Sequence, residues 1–569
     1  MSDDRRQFDV LTRHFIGGFL DNDLISPAGD LHGLLSKVAA VLAVYGVMYP
    51  FKLLFTYARP FFDYRELDLL SWGDKSGFVT LSLVVMGLLT VLEWDALQLN
   101  QRDCLAFGAL PIRSRTIMRA KLAALGTFLL VLSAPLTLAG AVTFPSVMHA
   151  GWSSGWLPVI RAMAGHVVAT TAAAWFAFFG LLAVHAVMQC VFGQRVLRRV
   201  LVAVQLVTTL GLVAALLMLP FIASSTAGLK RGAAGIAGLA PQMWFMGIYQ
   251  TISGQGDAEW RALAVRGWMA LALTAAVALT ASILAYRRVL GTTLEAVQSG
   301  PSRRSWMIRA VDLAAAVLAR HPVERGFFSF TVLTLVRSPW HRVMLAAFLG
   351  GALALSVVTL DFATVASDGV HRTPMLVSHA LAMQFVVIVI VLAGVRASAS
   401  APAELQASWA LRMLDSGQPR RWMDGFRKAV LLAIVGPVVA AMGGAAWLQF
   451  GWRTAWTYAL AALAFAAITF EVLFLGFGRA PFACAFDGAS GELKVRWYLL
   501  VALFASVVVG VAELVTRALG SISGTAILLA LSLGTIAWLH WRGNRALALG
   551  GGLAFEHEDP ATQALGLGP

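Results

Sequence analysis

The sequence predicts an all-α, polytopic membrane protein, and three observations predict it. Of 569 residues, 59% are hydrophobic and 13% charged, against about 45–50% and about 25% in soluble domains. Apolar runs recur along the chain, many as long as the roughly 20 helical residues that a hydrocarbon core requires, and the mean hydropathy is +0.74. Lys and Arg are also divided unequally between alternate loops. No polar stretch is long enough for a large soluble domain.

About twelve spans are expected, with cores at 33–55, 77–92, 122–144, 164–191, 200–223, 267–286, 343–364, 375–396, 429–449, 455–477, 497–516 and 524–541. Helices are the expected form, because in lipid each backbone group must be satisfied within its own segment. The N-terminus, MSDDRRQFDVLTRHF, is charged and lacks a signal-peptide core, so the first span is expected to act as its own insertion signal. With the N-terminus inside, the inner segments hold 32 Lys and Arg and the outer segments 12. That bias places both termini in the cytoplasm. The net charge of +14 is then read as marking cytoplasmic loops, with no nucleic-acid partner. Trp94, Trp156, Trp340, Trp422, Trp452, Trp497 and Trp541 fall near span ends, where indole rings anchor at the interface.

A shift of 308 residues lays span one on span seven and span three on span nine. It also lays Pro111, Arg113 and Arg119 on Pro419, Arg421 and Arg427. Ahead of each first span, FDVLT (Phe8–Thr12) echoes FTVLT (Phe330–Thr334), and LISP echoes LVRSP. The expectation is two parallel six-helix halves, each preceded by an amphipathic surface helix. The first half covers 1–290, a basic cytoplasmic linker 291–325, the second half 326–545 and a cytoplasmic tail 546–569.

Cys104, Cys190 and Cys484 are too dispersed for a disulfide framework or a metal motif. No Lys follows a Gly, so a GxxxxGK[ST] phosphate loop is excluded. ISGQG (Ile252–Gly256) and GWSSG (Gly151–Gly155) fall in loops between spans, without the context that an ATPase signature or a nucleophile elbow needs. QRD in the loop between spans two and three does not match the GxxxDRxGRR pattern of major-facilitator transporters.

That loop contains DCLAFGALPIRSRTIMRAKL (Asp103–Leu122), with Arg113, Arg115, Arg119 and Lys121 following Pro111. Proline suits the first position of a helix, and Arg115 and Arg119 share a face. Such a segment suits docking in a partner's groove. The alternative is that its cations bind anionic headgroups and fix topology.

The run LNQRDCLAFGALPIRSRTIMRAKLAAL resembles the segment after span two in bacterial ABC-2-type exporter permeases. APAELQASWALRML (Ala401–Leu414), RAPFACAFDGASGEL (Arg479–Leu493) and PQMWFMGIYQ (Pro241–Gln250) are similar to further segments of large fused permeases of this group. Phe486 and the GASG after Asp487 depart from their Tyr and Pro-Gly. The resemblance implies a transporter permease of the bacterial inner membrane. It implies that ATP and Mg are bound by separate ATPase subunits, two copies or a heterodimer, and that no cofactor sits on this chain. The segments that would couple to those subunits hold Pro111, Arg113, Arg115, Arg119, Lys121, Glu404, Arg412, Pro419, Arg421 and Arg427.

Glu471 in span ten, Glu513 near the outer end of span eleven, and His166 and His185 on span four are ionisable groups at membrane depth. Such groups mark functional sites or are satisfied by neighbouring helices. Glu513 is expected to pair with Arg517. Two other functions fit the same composition. One is an ion-coupled secondary transporter using Glu471, and the other is a non-transporting membrane scaffold.

Overall fold

Long apolar runs with internally bonded backbones become long helices, and the computed structural model is built of them. It describes residues 2–18, 64–94, 97, 112–149, 156–219, 222, 226, 239–296, 306–366, 372–403, 411, 413, 417–484, 511–512, 514–519, 521–549 and 553–554. Among these, the only extended pairing is an isolated bridge between Arg479 and Ala554. The chain divides into two compact units, 1–301 and 302–569.

The first unit contains α1 (Ser2–Gly18), α2 (Tyr64–Leu92), α3 (Ser114–His149), α4 (Trp156–Val191), α5 (Gln194–Leu217), α6 (Pro241–Ile252) and α7 (Ala258–Ala296). The second contains α8 (Trp306–Leu318), α9 (Pro322–Arg337), α10 (Pro339–Ala366), α11 (Arg372–Ala399), α12 (Pro419–Val430), a wide π-helical turn (Leu431–Val435), α13 (Gly436–Phe450), α14 (Trp452–Phe474) and α15 (Ile522–Leu549).

Among the described residues, nine helices are long and apolar enough to cross a membrane, and Trp340–Ala354 is a shorter apolar helix at the expected span seven. The chain is thus a multi-pass helical membrane protein by length and composition. The expected span at 33–55 and most of that at 497–516 lie outside the described residues.

In the first unit, α4 packs against α2, α3, α6 and α7. Its 36 residues rise about 54 Å, well beyond a core about 30 Å thick, so it must tilt or extend past the core. Small residues make the close packing possible: Ala169, Ala173 and Ala174 on α4 have no exposure. Gly247 serves the same purpose between α6 and α7, because a Cβ there would lie 2.6 Å from the Trp260 carbonyl oxygen.

In the second unit, α11 packs on α10 and α14, and α9 lies across α12. Phe385 and Phe465 stack at 4.1 Å between α11 and α14. Pro419 opens α12, whose buried residues are Trp422, Gly425, Phe426, Ala429 and Val430. That i, i+3, i+4, i+7, i+8 pattern is one helix face. Beyond it the buried series Trp422, Phe426, Val430 continues at Val435 and Val439. The step of five falls on the wide turn, where Gly436 N–H bonds back to the Leu431 carbonyl. The turn holds the apolar stripe in line, and it precedes Pro437, which has no N–H to give an α-helical bond.

Candidate functional site

In each unit the helix that carries the sequence echo packs on the helix with the basic start. In the first unit, α1 is a strap over the start of α3. Leu11 and Phe15 are buried with Ile117, Ala120 and Ala124, each large side chain contributing roughly 1.5–3 kcal/mol. The apolar face of α1 therefore meets protein, and Arg5, Arg6, Asp9 and Arg13 face outward. Arg113 pairs with Asp4 at 3.4 Å in a largely exposed contact. Arg115 and Arg119 are exposed. Lys121 is not on this surface: it is 6% exposed, with its ammonium 4.8 Å from the centre of the Phe15 ring.

The second unit repeats the arrangement with a tighter hold. The helix that carries FTVLT, α9, starts with His321 as cap, whose Nδ1 accepts from the Val323 N–H, and with Pro322 at its first position. Glu324, buried in the first turn of α9, accepts from Arg421 at 2.6 Å and Lys428 at 2.8 Å on α12. Those two cations are seven residues apart, two turns of one face. Burial alone pushes the Glu324 carboxyl up, but its bonds and charge contacts with Lys428 and Arg421 outweigh that, and it ionises below the ordinary glutamate range. Gly425 lets the helices meet, since a Cβ there would stand 2.6 Å from the Glu324 carbonyl oxygen.

Arg427 turns the other way, into the unit. Its guanidinium donates to Glu471 Oε1 at 2.7 Å and His540 Nδ1 at 2.7 Å, with Asp424 Oδ1 at 3.5 Å. Arg427 therefore links α12 to α14 and α15 and is unavailable as a surface docking group. Glu471, flagged by its position in an apolar run, is held as the partner of a permanent cation. Asn544 lies 3.0 Å from His540 Nε2.

Beside this cluster, two distant sequence segments are joined. Ala403 N–H donates to the Phe482 carbonyl at 2.8 Å, and Phe482 N–H donates to the Ala399 carbonyl at 2.9 Å. Phe482 has φ of +63°, a conformation that costs a non-glycine residue about 1–2 kcal/mol. Its ring packs on Phe330, His341 and Phe426. Ala554 bonds to Gly478 and Ala480, which brings the C-terminal segment to the same place.

His185 stacks on Trp94 at 4.8 Å, and His166 is boxed by Phe78, Phe144 and Tyr249. Among the described residues neither forms an ion pair with the basic ends. Pro111, Glu404, Arg412 and Glu513 lie outside the described residues, and no group of three or more metal-ligating side chains occurs among the described residues. Glu324, His540, His341 and Phe482 were missed in the sequence. Only His540 carried a usable signal there, an ionisable residue within an apolar run. Comparison with protein-family models, with curated proteins and with solved structures returned no match.

Proposed function

We propose that this chain is the membrane-spanning permease of an ABC exporter, with two parallel six-helix halves, driven by ATPase subunits on separate chains. One observation supports the reading above the others. In each unit a helix carrying the same short sequence echo packs by its apolar side on the basic start of a membrane helix, leaving Arg113, Arg115 and Arg119 exposed in one unit and Arg420 in the other. Topology alone does not require that a basic segment be braced in this way. A pair of braced cationic helix starts on the cytoplasmic side of a bacterial inner membrane would meet a pair of ATPases, which bind ATP and Mg. On this reading Arg113, Arg115 and Arg119 form one contact and Arg420 the other, with Arg421 held by Glu324.

The ion-coupled alternative loses support from the Arg427–Glu471 pair, because a proton or sodium site needs a carboxylate that a fixed cation does not neutralise. The test is co-expression with a candidate ATPase and reconstitution in nanodiscs. Arg113→Glu with Arg115→Glu should release the ATPase and abolish stimulated hydrolysis while the helical signal is unchanged. Association and hydrolysis at wild-type levels in that variant, or transport on an ion gradient without any ATPase, would overturn the proposal.

A further inference from the structure

Next to Arg427 lies a cavity of about 310 Å³ between α12, α14, α15 and the 476–478 and 553–554 segments. Small-molecule sites start at roughly this size. We propose that it binds a small amphipathic organic cation: an ammonium group with a compact hydrocarbon body.

The charges lining the cavity favour that choice. Asp424 and Glu471 supply two carboxylates against the single guanidinium of Arg427. His540 Nδ1 lies 2.7 Å from the Arg427 guanidinium and 3.3 Å from Glu471 Oε1. Arg427 is already committed to Glu471, His540 and Asp424, so an anion would have to displace a carboxylate to reach it. Asp424 Oδ2 and Glu471 Oε2 accept no hydrogen bond among the described residues, which leaves acceptors for an ammonium.

The rest of the lining is apolar. Phe470 and Phe474 stack at 4.6 Å and, with Leu547 and Leu553, form walls for a hydrocarbon body. Arg396 already sits over Phe474 and Phe477, so those rings offer apolar surface, and the cation is held by the carboxylates. Gly543 borders the cavity, and a Cβ there would meet no atom within 4 Å, so a side chain can be introduced into the space. The site belongs to the chain alone and does not rest on the ATPase reading.

The experiment is calorimetric titration of the full chain in nanodiscs, with empty nanodiscs as reference. The probes are 2-phenylethylammonium, 2-phenylethanol and 3-phenylpropionate, which share a phenyl body and differ in charge. The cation should bind at least tenfold more tightly than the alcohol, and the anion not at all. Asp424→Asn should weaken the cation at least fivefold and leave the alcohol unchanged. Gly543→Leu, which touches no charge, should abolish binding of both with the helical signal intact. Equal affinity for cation and alcohol, preference for the anion, no binding at millimolar concentration, or unchanged cation affinity in both variants would each overturn the assignment.

Discussion

Replacing Glu324 with Gln keeps the shape of the side chain and removes the charge shared by Arg421 and Lys428. Two hydrogen bonds to charged groups contribute about 1.5–3 kcal/mol each. The cations are 49% and 34% exposed, however, while the carboxylate is 3% exposed, so both cations rehydrate when released. Screening reduces the expected loss to about 2 kcal/mol. Cys484, 8% exposed, reports on this end, because Phe482 packs on Phe330 of α9. In a background with Cys104→Ser and Cys190→Ser, thiol labelling at neutral pH should run about 30-fold faster in Glu324→Gln, since each 1.36 kcal/mol is tenfold. The pH dependence has a definite sign. The folded carboxyl ionises below the ordinary glutamate range, so the folded state binds fewer protons in acid. The stabilisation is whole above the ordinary value, about 4.3, and is lost as pH falls through the folded value. Relative to a free peptide thiol at the same pH, protection of wild-type Cys484 should fall over that window, and that of Glu324→Gln should not. A change below twofold at neutral pH, or the same acid response in both proteins, would refute the role assigned to this clamp.

Gly425→Ala should destabilise the second unit by about 1–3 kcal/mol through overpacking on the Glu324 backbone, against the gain of about 1 kcal/mol that Ala brings to an open helix. Thermal unfolding in nanodiscs reads the sign. Phe482→Ala should cost about 3–5 kcal/mol in lost ring packing, and Phe482→Gly should be the more stable of the two by about 1 kcal/mol, because φ of +63° suits glycine; paired melting curves decide it. Asp4→Asn, at an exposed pair 3.4 Å long, should change stability by less than about 1 kcal/mol, and a larger loss would mean that α1 is held by charge and not by Leu11 and Phe15.

The sequence made the start of α12 legible, because Pro419 echoes Pro111 and suits a first helical position, whereas its buried face is read from the structure. What clamps α12 was not legible, since Glu324 lies 97 residues from Arg421 and no periodicity spans that distance. The amphipathic pattern of α1 was visible too, but a pattern does not say whether its apolar side meets lipid or protein; Ile117 and Ala120 answer that. Glu471 stood out as a charge in an apolar run, yet its role depends on Arg427, read from the sequence as a docking group, and on His540. Charge spacing along α12 placed Arg421 and Arg427 in one class, whereas they point to opposite sides of the helix, one to α9 and one to α14.

The wide turn at Leu431–Val435 has a mechanical meaning. From Pro419 to Phe450 the chain runs as one rod with this single interruption. Interrupted backbone ladders are where helices kink, so any bend of this rod falls at 431–435. α12 can then tilt with α9 only as far as the Arg427 bonds to Glu471 and His540 allow, while α13 stays seated against α14.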